Sequence, residues 1–281
     1  MGQNKEFMVV FLLLGPMVFI TLTIHGWDFY QQNIAPKSSE QQRLRKELLR
    51  KHCAGVNQSV VNLNNVDLNN FIVDDKNGII YCYIPKVACT NWKRTLIALR
   101  QDEPYPDPMS FEHERVHRFD RFQHLRQFPP AERKAKLMHY TKFLFVRDPF
   151  VRLISAYRDK MQKYDKYFYE GYYIIDPQTE RYAPFEPHWR QMNRLCHPCL
   201  VDYDFVGHQE TLQEDAQELL KILKLEDAIK FPPSYENMTS RNSVDHWFQS
   251  VPLEDRRKLF KLYEKDFQLF GYRRPIELLD D

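Results

Sequence analysis

A β-rich run, a proline, a basic loop and a helix follow one another in the stretch "YCYIPKVACTNWKRTL", Tyr81 to Leu96. Ile79–Ile84 combines β-branched and aromatic residues and predicts a buried strand, which Pro85 ends. Asn91 is a suitable cap for the helix predicted next. A strand that passes through a short loop into a helix aims free backbone N–H groups and the positive helix end at one point. The loop therefore suits a phosphate or a sulfate.

The first loop also carries a mobile charge on Lys86 and a hydroxyl on Thr90. It lacks the glycines of the GxxxxGK[ST] pattern, which cradle a nucleoside triphosphate. A P-loop kinase that binds ATP is therefore an alternative without a motif behind it.

A second unit of the same kind begins with the predicted strand Lys142–Val146, which runs into "RDPFVRLISAYRDK". Arg147 offers a planar fork for a phosphate, and Pro149 fits the first turn of a helix. Ser155 and Arg158 are three residues apart and share a helix face. Taken alone, this loop also fits a purely structural interpretation, in which Arg147 pairs with the neighbouring Asp148 and Ser155 packs between helices. Two such units in one chain favour a ligand with two anionic ends.

The two motifs, "IPKVACTNWKR" and "FLFVRDPFVRLISAYRDK", resemble the paired donor-binding motifs of Golgi carbohydrate sulfotransferases, especially the chondroitin/GalNAc 4-O-sulfotransferase group. The likeness continues into "PFEPHWRQMNRLCHPCLVDYDFVGHQETLQEDA" and "KLYEKDFQLFGY", so it spans most of residues 71–275. It implies an α/β, P-loop-like sulfotransferase fold with a central parallel sheet flanked by helices. It also implies 3′-phosphoadenylyl sulfate (PAPS) as sulfuryl donor and a glycosaminoglycan or other GalNAc-containing glycan as acceptor.

The resemblance implies a role for each matched residue. The 5′-phosphosulfate would be held by the Lys86 and Thr90 side chains and by the backbone N–H groups of Val87, Ala88, Cys89, Thr90 and Asn91. The 3′-phosphate would be held by Arg147 and Ser155, with Arg94 and Arg158 as helpers unless these two face solvent. Lys86 would stabilise the charge that develops on the leaving phosphate, and no metal ion is required.

The same resemblance makes His117, in "HERVHRFDRFQHLRQF", the predicted catalytic base. From the sequence alone, His117 fits better as a surface residue of a basic helix. His188, in "EPHW", is the second candidate base and is expected to bind the acceptor. Arg115 and Arg118 are expected to line a groove for a polyanionic glycan, or else to lie on a solvated amphipathic helix.

The N-terminal part has a different composition from the rest. Residues 7–24 carry no charge and just reach the length that spans a bilayer, which predicts a transmembrane signal-anchor. We expect a cytosolic tail over 1–6, a stem over 25–70 and a lumenal sulfotransferase domain over 71–281, in a single-pass type II protein of the Golgi membrane. The alternatives are a cleaved signal peptide, and a helix in the stem region that docks on the domain.

Two sequons and five cysteines fit a chain that enters a secretory compartment, and the net charge bears on its partners. Asn57 and Asn237 begin glycosylation sequons. Five cysteines in an oxidising lumen predict a disulfide that involves Cys196 or Cys199, within this pair or to another cysteine, whereas Cys82 is expected to be free. The net charge of +2 gives no global field for nucleic acid.

One departure from the family pattern concerns the stretch from Tyr164 to Glu186, which is shorter than its counterpart in related proteins. It keeps open the alternative of a catalytically impaired member that binds PAPS or a glycan without transfer.

Overall fold

A computed structural model describes residues 35–54, 66–162, 185–235 and 239–280 of this chain. The chain forms two compact units, Met1–Leu44 and Arg45–Asp281. The described part of the first unit is the beginning of helix α1 (Ala35–His52). The predicted membrane segment, the first sequon and the asparagine of the second sequon, Asn237, lie outside the described residues. Within those ranges, no helix combines the length and the apolar character that a membrane span needs.

The second unit is built on a five-stranded sheet. Its strands are β1 (Phe71–Asp74), β2 (Ile79–Cys82), β3 (Gln123–His124), β4 (Thr141–Val146) and β5 (Phe205–His208), in the order β3-β1-β2-β4-β5. Strands β2, β4 and β5 are parallel to one another. Strand β1 is antiparallel to both of its neighbours. The predicted central sheet is thus confirmed as mostly parallel, and its three parallel strands all end at the same edge.

Helices flank this sheet. They are α2 (Cys89–Leu99), α3 (His113–Val116), α4 (Pro130–His139), α5 (Pro149–Lys160), α6 (Met192–Cys196), α7 (Leu212–Ile222), α8 (Val244–Phe248), α9 (Leu253–Phe270) and α10 (Ile276–Leu279). The helices predicted after both loops are confirmed. The basic helix considered for residues 113–128 is wrong, because this stretch breaks into α3, two 3₁₀ turns and β3. His124 is buried there in β3, which adds to the edge of the sheet at Ile72.

Aromatic packing fixes α2 and α5 on the sheet. Trp92 of α2 lies 4.8 Å from Phe143 and 5.2 Å from Phe145, between ring centroids, over strand β4. Phe150 of α5 stacks on Phe248 at 4.7 Å and meets the edge of Phe267 at 5.3 Å. Fully burying one such side chain contributes about 1.5–3 kcal/mol. The helices that follow the two basic loops are therefore held rigidly.

Arg152 of α5 joins three separate backbone segments. The residue is only 2% exposed. Its guanidinium donates to the carbonyl oxygens of Pro85 at 3.0 Å, Pro187 at 2.7 Å and Arg190 at 2.8 Å. Arg152 thereby fixes the first basic loop and the segment around His188 at set positions on α5.

Two disulfides cross-link the second unit, namely Cys53–Cys199 and Cys82–Cys196, and Cys89 is free. Cys196 and Cys199 thus each pair with another cysteine. The expectation that Cys82 is free is wrong, because the end of β2 lies 5.8 Å from Cys196 between Cα atoms.

The compact unit begins earlier than the predicted boundary at residue 71. Arg45 donates to both carboxylate oxygens of Asp215 at 2.9 Å, and Leu49 and Cys53 belong to the hydrophobic core. Residues 45–52, which lie in the predicted stem, therefore form part of a helix that docks on the domain, as the alternative interpretation expected.

The disulfide pattern predicts a definite peptide map. Alkylating the native chain without reduction should label Cys89 and none of the other four cysteines. Proteolysis and mass spectrometry should then give the cross-linked peptides Cys53–Cys199 and Cys82–Cys196. A peptide with Cys196 bonded to Cys199 would contradict the pattern.

The contacts of Arg152 predict a large loss of stability in Arg152→Met. The change keeps most of the side-chain volume but leaves three carbonyl oxygens without their donor, so the free energy of unfolding should fall by about 3 kcal/mol or more. Chemical denaturation measures this. The control is Arg273→Met, whose arginine is paired with Glu277 on the surface and should change stability by less than about 1 kcal/mol. Equal effects of the two variants would refute the interpretation.

Candidate active site

A cavity of about 790 Å³ opens at the edge of the sheet where the parallel strands end. The loop after β2 contributes Lys86 to its lining and the first turn of α2 contributes Thr90. The loop after β4 contributes Arg147, and Gln209 directly follows β5. Ligands of open α/β sheets bind in this position, outside the carboxyl ends of the strands. The volume lies within the usual range for small-molecule sites.

The first loop curls without any glycine. Lys86 and Ala88 both have left-handed backbone conformations, with φ of 68° and 47°. Such a conformation costs a residue with a side chain about 1–2 kcal/mol, but it is the type that forms concave arrays of N–H groups for anions. Helix α2 starts at Cys89, and no side chain caps it. The N–H groups of its first turn are therefore not occupied by a cap.

Asn91 does not cap α2, so that prediction is wrong. It lies inside the first turn of the helix and is 1% exposed. Its Nδ2 donates to the carbonyl oxygens of Pro233 at 3.1 Å and Pro232 at 3.4 Å. Asn91 thus holds a neighbouring segment at the cavity wall.

Lys86 forms an ion pair within the cavity wall. Its Nζ lies 3.0 Å from Oδ2 of Asp159, which is on α5. Burial raises the pKa of Asp159. The hydrogen bond and charge of Lys86 and the charge of Lys160 act in the opposite direction and together outweigh burial, so the pKa of Asp159 lies below its ordinary value. Asp159 is therefore a carboxylate at neutral pH and holds the Lys86 ammonium group at the cavity.

Arg147 connects the two basic loops. It is 5% exposed, and its Nη1 donates to the carbonyl oxygen of Lys86 at 3.0 Å. Asp148 accepts hydrogen bonds from the N–H groups of Phe150 and Val151 and so caps α5. Burial lowers the pKa of Arg147, while the negative charge of Glu210 acts in the opposite direction. The guanidinium is therefore a fixed positive group between the loops.

Ser155 and Arg158 line the cavity from the same face of α5. Arg158 Nη1 donates to Thr239 Oγ1 at 2.8 Å, and its guanidinium lies 5.9 Å from the ring centroid of Trp247. Thr239, which also lines the cavity, was not a candidate from the sequence. A lone threonine 81 residues away in the sequence gives no signal of this contact.

His117 lies beside the first loop, where its Nε2 is 2.9 Å from Thr90 Oγ1 and its ring packs on His113. The residue lines the cavity and is exposed to solvent. Its environment nevertheless lowers its pKa to about 4, first through partial burial and then through the positive charges of Lys93, His113, Lys160 and His188. His117 is therefore neutral at pH values well above about 4.

His188, the second candidate histidine, also lines the cavity. Its Nδ1 lies 2.8 Å from Oε1 of Glu186, whose carboxylate also accepts the backbone N–H of His188 at 2.7 Å. Arg152 holds the carbonyl of the intervening Pro187. The ring is thus fixed relative to the first loop.

Four predicted residues do not line the cavity with their side chains. Val87 is fully buried beneath the first loop. Arg94 is buried and donates to the carbonyl oxygen of Phe111 at 2.9 Å, so it supports the fold. Arg115 and Arg118 are exposed and form surface ion pairs with Glu112 and Asp120. Their positions do not support a role in the cavity. The described residues also contain no cluster of three or more side chains suited to a metal ion.

Comparison with known proteins agrees with the family resemblance of the two motifs, over most of the chain. The family model described as "Sulfotransferase family" matches residues 69–273. Carbohydrate sulfotransferase 12 of Mus musculus is 42% identical over 311 residues, which cover 92% of this chain and 74% of the relative. Its counterpart in Xenopus laevis is 43% identical over 76% of this chain and 63% of its own length. Carbohydrate sulfotransferase 11 of Rattus norvegicus is 36% identical over 74% of this chain and 68% of its own length. No solved structure matches the chain.

The environment of His117 predicts a pH profile. A base must be neutral to accept a proton, and the ring loses this form only as the pH falls through a value of about 4. If His117 is the base, kcat/KM for the acceptor should stay nearly constant from pH 7 down to pH 5. Steady-state assays across this range test the prediction, and a tenfold fall centred near the ordinary histidine pKa of about 6.5 would contradict it.

Proposed function

The chain belongs to the sulfotransferase family, and on this premise we propose that it transfers a sulfuryl group from PAPS to a hydroxyl group of a glycan. The acceptor we propose is the 4-position of GalNAc in chondroitin or a related glycosaminoglycan. The relatives are named as carbohydrate sulfotransferases, which supports a glycan acceptor. The resemblance of the two motifs to the GalNAc 4-O-sulfotransferase group supports the narrower choice.

The observation that carries the proposal is the meeting of the two basic loops at one cavity. The first loop and the start of α2, which no side chain caps, bring the ammonium group of Lys86 and the hydroxyl of Thr90 to the cavity. The second loop and α5 bring Arg147, Ser155 and Arg158. PAPS has anionic groups at its 5′ and 3′ ends, and cations with hydroxyl donors at two places suit such a ligand. The residues present therefore fit this donor.

The chain must supply two functions for an in-line displacement at sulfur. Negative charge grows on the leaving phosphate, and the Lys86 ammonium group, held by Asp159, stabilises it. The acceptor hydroxyl loses its proton, and we assign His117 to receive it. The contact of His117 with Thr90 keeps the ring beside the donor loop. Proton acceptance thus takes place next to the group that is transferred.

We further propose that the protein is a single-pass type II protein of the Golgi membrane, with the second unit in the lumen and glycans on Asn57 and Asn237. The two disulfides support this location, because disulfides persist in oxidising compartments. The uncharged segment over residues 7–24 supports the anchor.

One observation favours a second candidate, a catalytically impaired protein that binds PAPS or a glycan. The match to the mouse relative extends over 311 residues, more than the 281 residues of this chain, so parts of the relative have no counterpart here. The shortened stretch from Tyr164 to Glu186 is the candidate location. It lies almost entirely outside the described residues.

A transfer assay separates these functions. The full chain is incubated with PAPS labelled in the sulfuryl group and with desulfated chondroitin, and the product disaccharides are analysed. Label at the 4-position of GalNAc is the expected result. PAPS binding without transfer to any glycan would favour the impaired member. Binding of ATP in place of PAPS would instead favour a kinase.

Variants of the cavity give a second prediction. Lys86→Ala and His117→Ala should each lower kcat by about 10²-fold or more, because each removes a group that acts in the transition state. His117→Ala should leave the affinity for PAPS nearly unchanged, whereas Arg147→Lys should weaken it, since lysine lacks the planar fork. The control is Lys258→Ala, which changes an exposed lysine on α9. Near-normal turnover of His117→Ala would remove His117 as the base.

A further inference from the structure

Thr239 contacts the two arginines, Arg147 and Arg158, that the second loop and α5 bring to the cavity. Its Oγ1 accepts a hydrogen bond from Arg158 Nη1 at 2.8 Å, and its carbonyl oxygen accepts one from Arg147 Nη2. The residue is 7% exposed and lines the cavity. Thr239 is thus in direct contact with the two guanidinium groups that the proposed function places at the 3′-phosphate.

The hydroxyl of Thr239 retains a donor in this arrangement. A threonine hydroxyl has one O–H donor and two lone pairs, whereas a guanidinium has five N–H donors and no acceptor. Thr239 Oγ1 must therefore be the acceptor in its bond with Arg158, so this bond does not use its O–H. The guanidinium groups also have more N–H donors than their three bonds to Lys86 and Thr239 use.

Arg147 and Arg158 bring two positive charges to this part of the cavity wall. The hydrogen-bond acceptors of Arg147 and Arg158 are carbonyl and hydroxyl oxygens, and among the described residues no carboxylate forms an ion pair with either arginine. The hydroxyl of Ser155 lines the same part of the wall. Two positive charges and two hydroxyl groups form a set of donors suited to a phosphate dianion.

We propose that Thr239 is a further donor-binding residue, whose hydroxyl donates a hydrogen bond to the 3′-phosphate of PAPS while it holds Arg158 toward the same group. This inference rests on the proposed function, because it assigns the 3′-phosphate to this part of the cavity wall. Thr239 then contributes to the selection of nucleotides that carry a 3′-phosphate over those that lack it.

A binding experiment with two nucleotides tests this role in the full chain. Adenosine 3′,5′-bisphosphate and adenosine 5′-monophosphate differ only in the 3′-phosphate, and calorimetric titration gives the affinity for each. Thr239→Val keeps the shape of the side chain but removes the hydroxyl. It should weaken binding of the bisphosphate about tenfold or more and change binding of the monophosphate less than about twofold. Thr239→Ser, which keeps a hydroxyl, should restore the preference.

The sequon provides a matched control. Thr239→Val also destroys the glycosylation signal Asn237-Met238-Thr239, and Asn237→Gln destroys the signal alone. Asn237→Gln should bind both nucleotides as the chain without substitutions does. If Thr239→Val fails to fold, as judged by thermal unfolding, Thr239→Ala provides the same comparison with a smaller side chain.

The outcomes separate the inference from its premise. If the valine or alanine variant binds both nucleotides normally, or loses affinity for both equally, Thr239 only anchors its own segment and the inference fails. If the chain without substitutions shows no preference for the bisphosphate, the assignment of a 3′-phosphate site fails, and the inference fails with it.

Discussion

The three hydrogen bonds of the buried Arg152 guanidinium determine how the parts of the cavity lie relative to one another. Arg152 belongs to the helix that follows the second loop, yet it binds Pro85 at the start of the first loop. It also binds the carbonyl groups on either side of the His188–Trp189 pair. Because a buried guanidinium is costly unless it is well bonded, these segments cannot separate without a large loss of free energy. A reaction that needs donor, base and acceptor in register benefits from such a rigid frame.

Much of this frame was predictable from local patterns. The strands before Pro85 and Arg147 and the helices after them followed from apolar periodicity and from proline positions, whereas the mostly parallel sheet was implied by the family resemblance of the two motifs. The antiparallel β1 and the short β3 were not predictable, since they depend on pairing across the sheet edge. Residues 113–128 carry charges that suit an amphipathic helix, but the burial of His124 and Leu125 overrides that local preference.

The site shows the same division between local and long-range information. The two motifs and their family resemblance made Lys86, Thr90, His117, Arg147, Ser155, Arg158 and His188 candidates, and all of them line the cavity. The resemblance also suggested Arg94, and charge suggested Arg115 and Arg118, but the partners of these three arginines lie elsewhere. Asp159, Glu186 and Thr239 were missed as partners of the site residues. An ordinary acid or hydroxyl residue becomes informative only when the fold places it against a cation or a histidine.

Both disulfides join an N-terminal thiol to the Cys196–Cys199 pair, and this has a consequence for the order of events during synthesis. Cys53, Cys82 and Cys89 are synthesised before either partner, and Cys53 precedes Cys199 by 146 residues. During that interval the three early thiols have only one another as intramolecular partners. Oxidation at that stage forms non-native pairs, which must be exchanged once the later thiols emerge. Thiol–disulfide exchange is the reaction that converts such early pairs into the two native disulfides, and Cys89 at the cavity is the thiol that the native pairing leaves over.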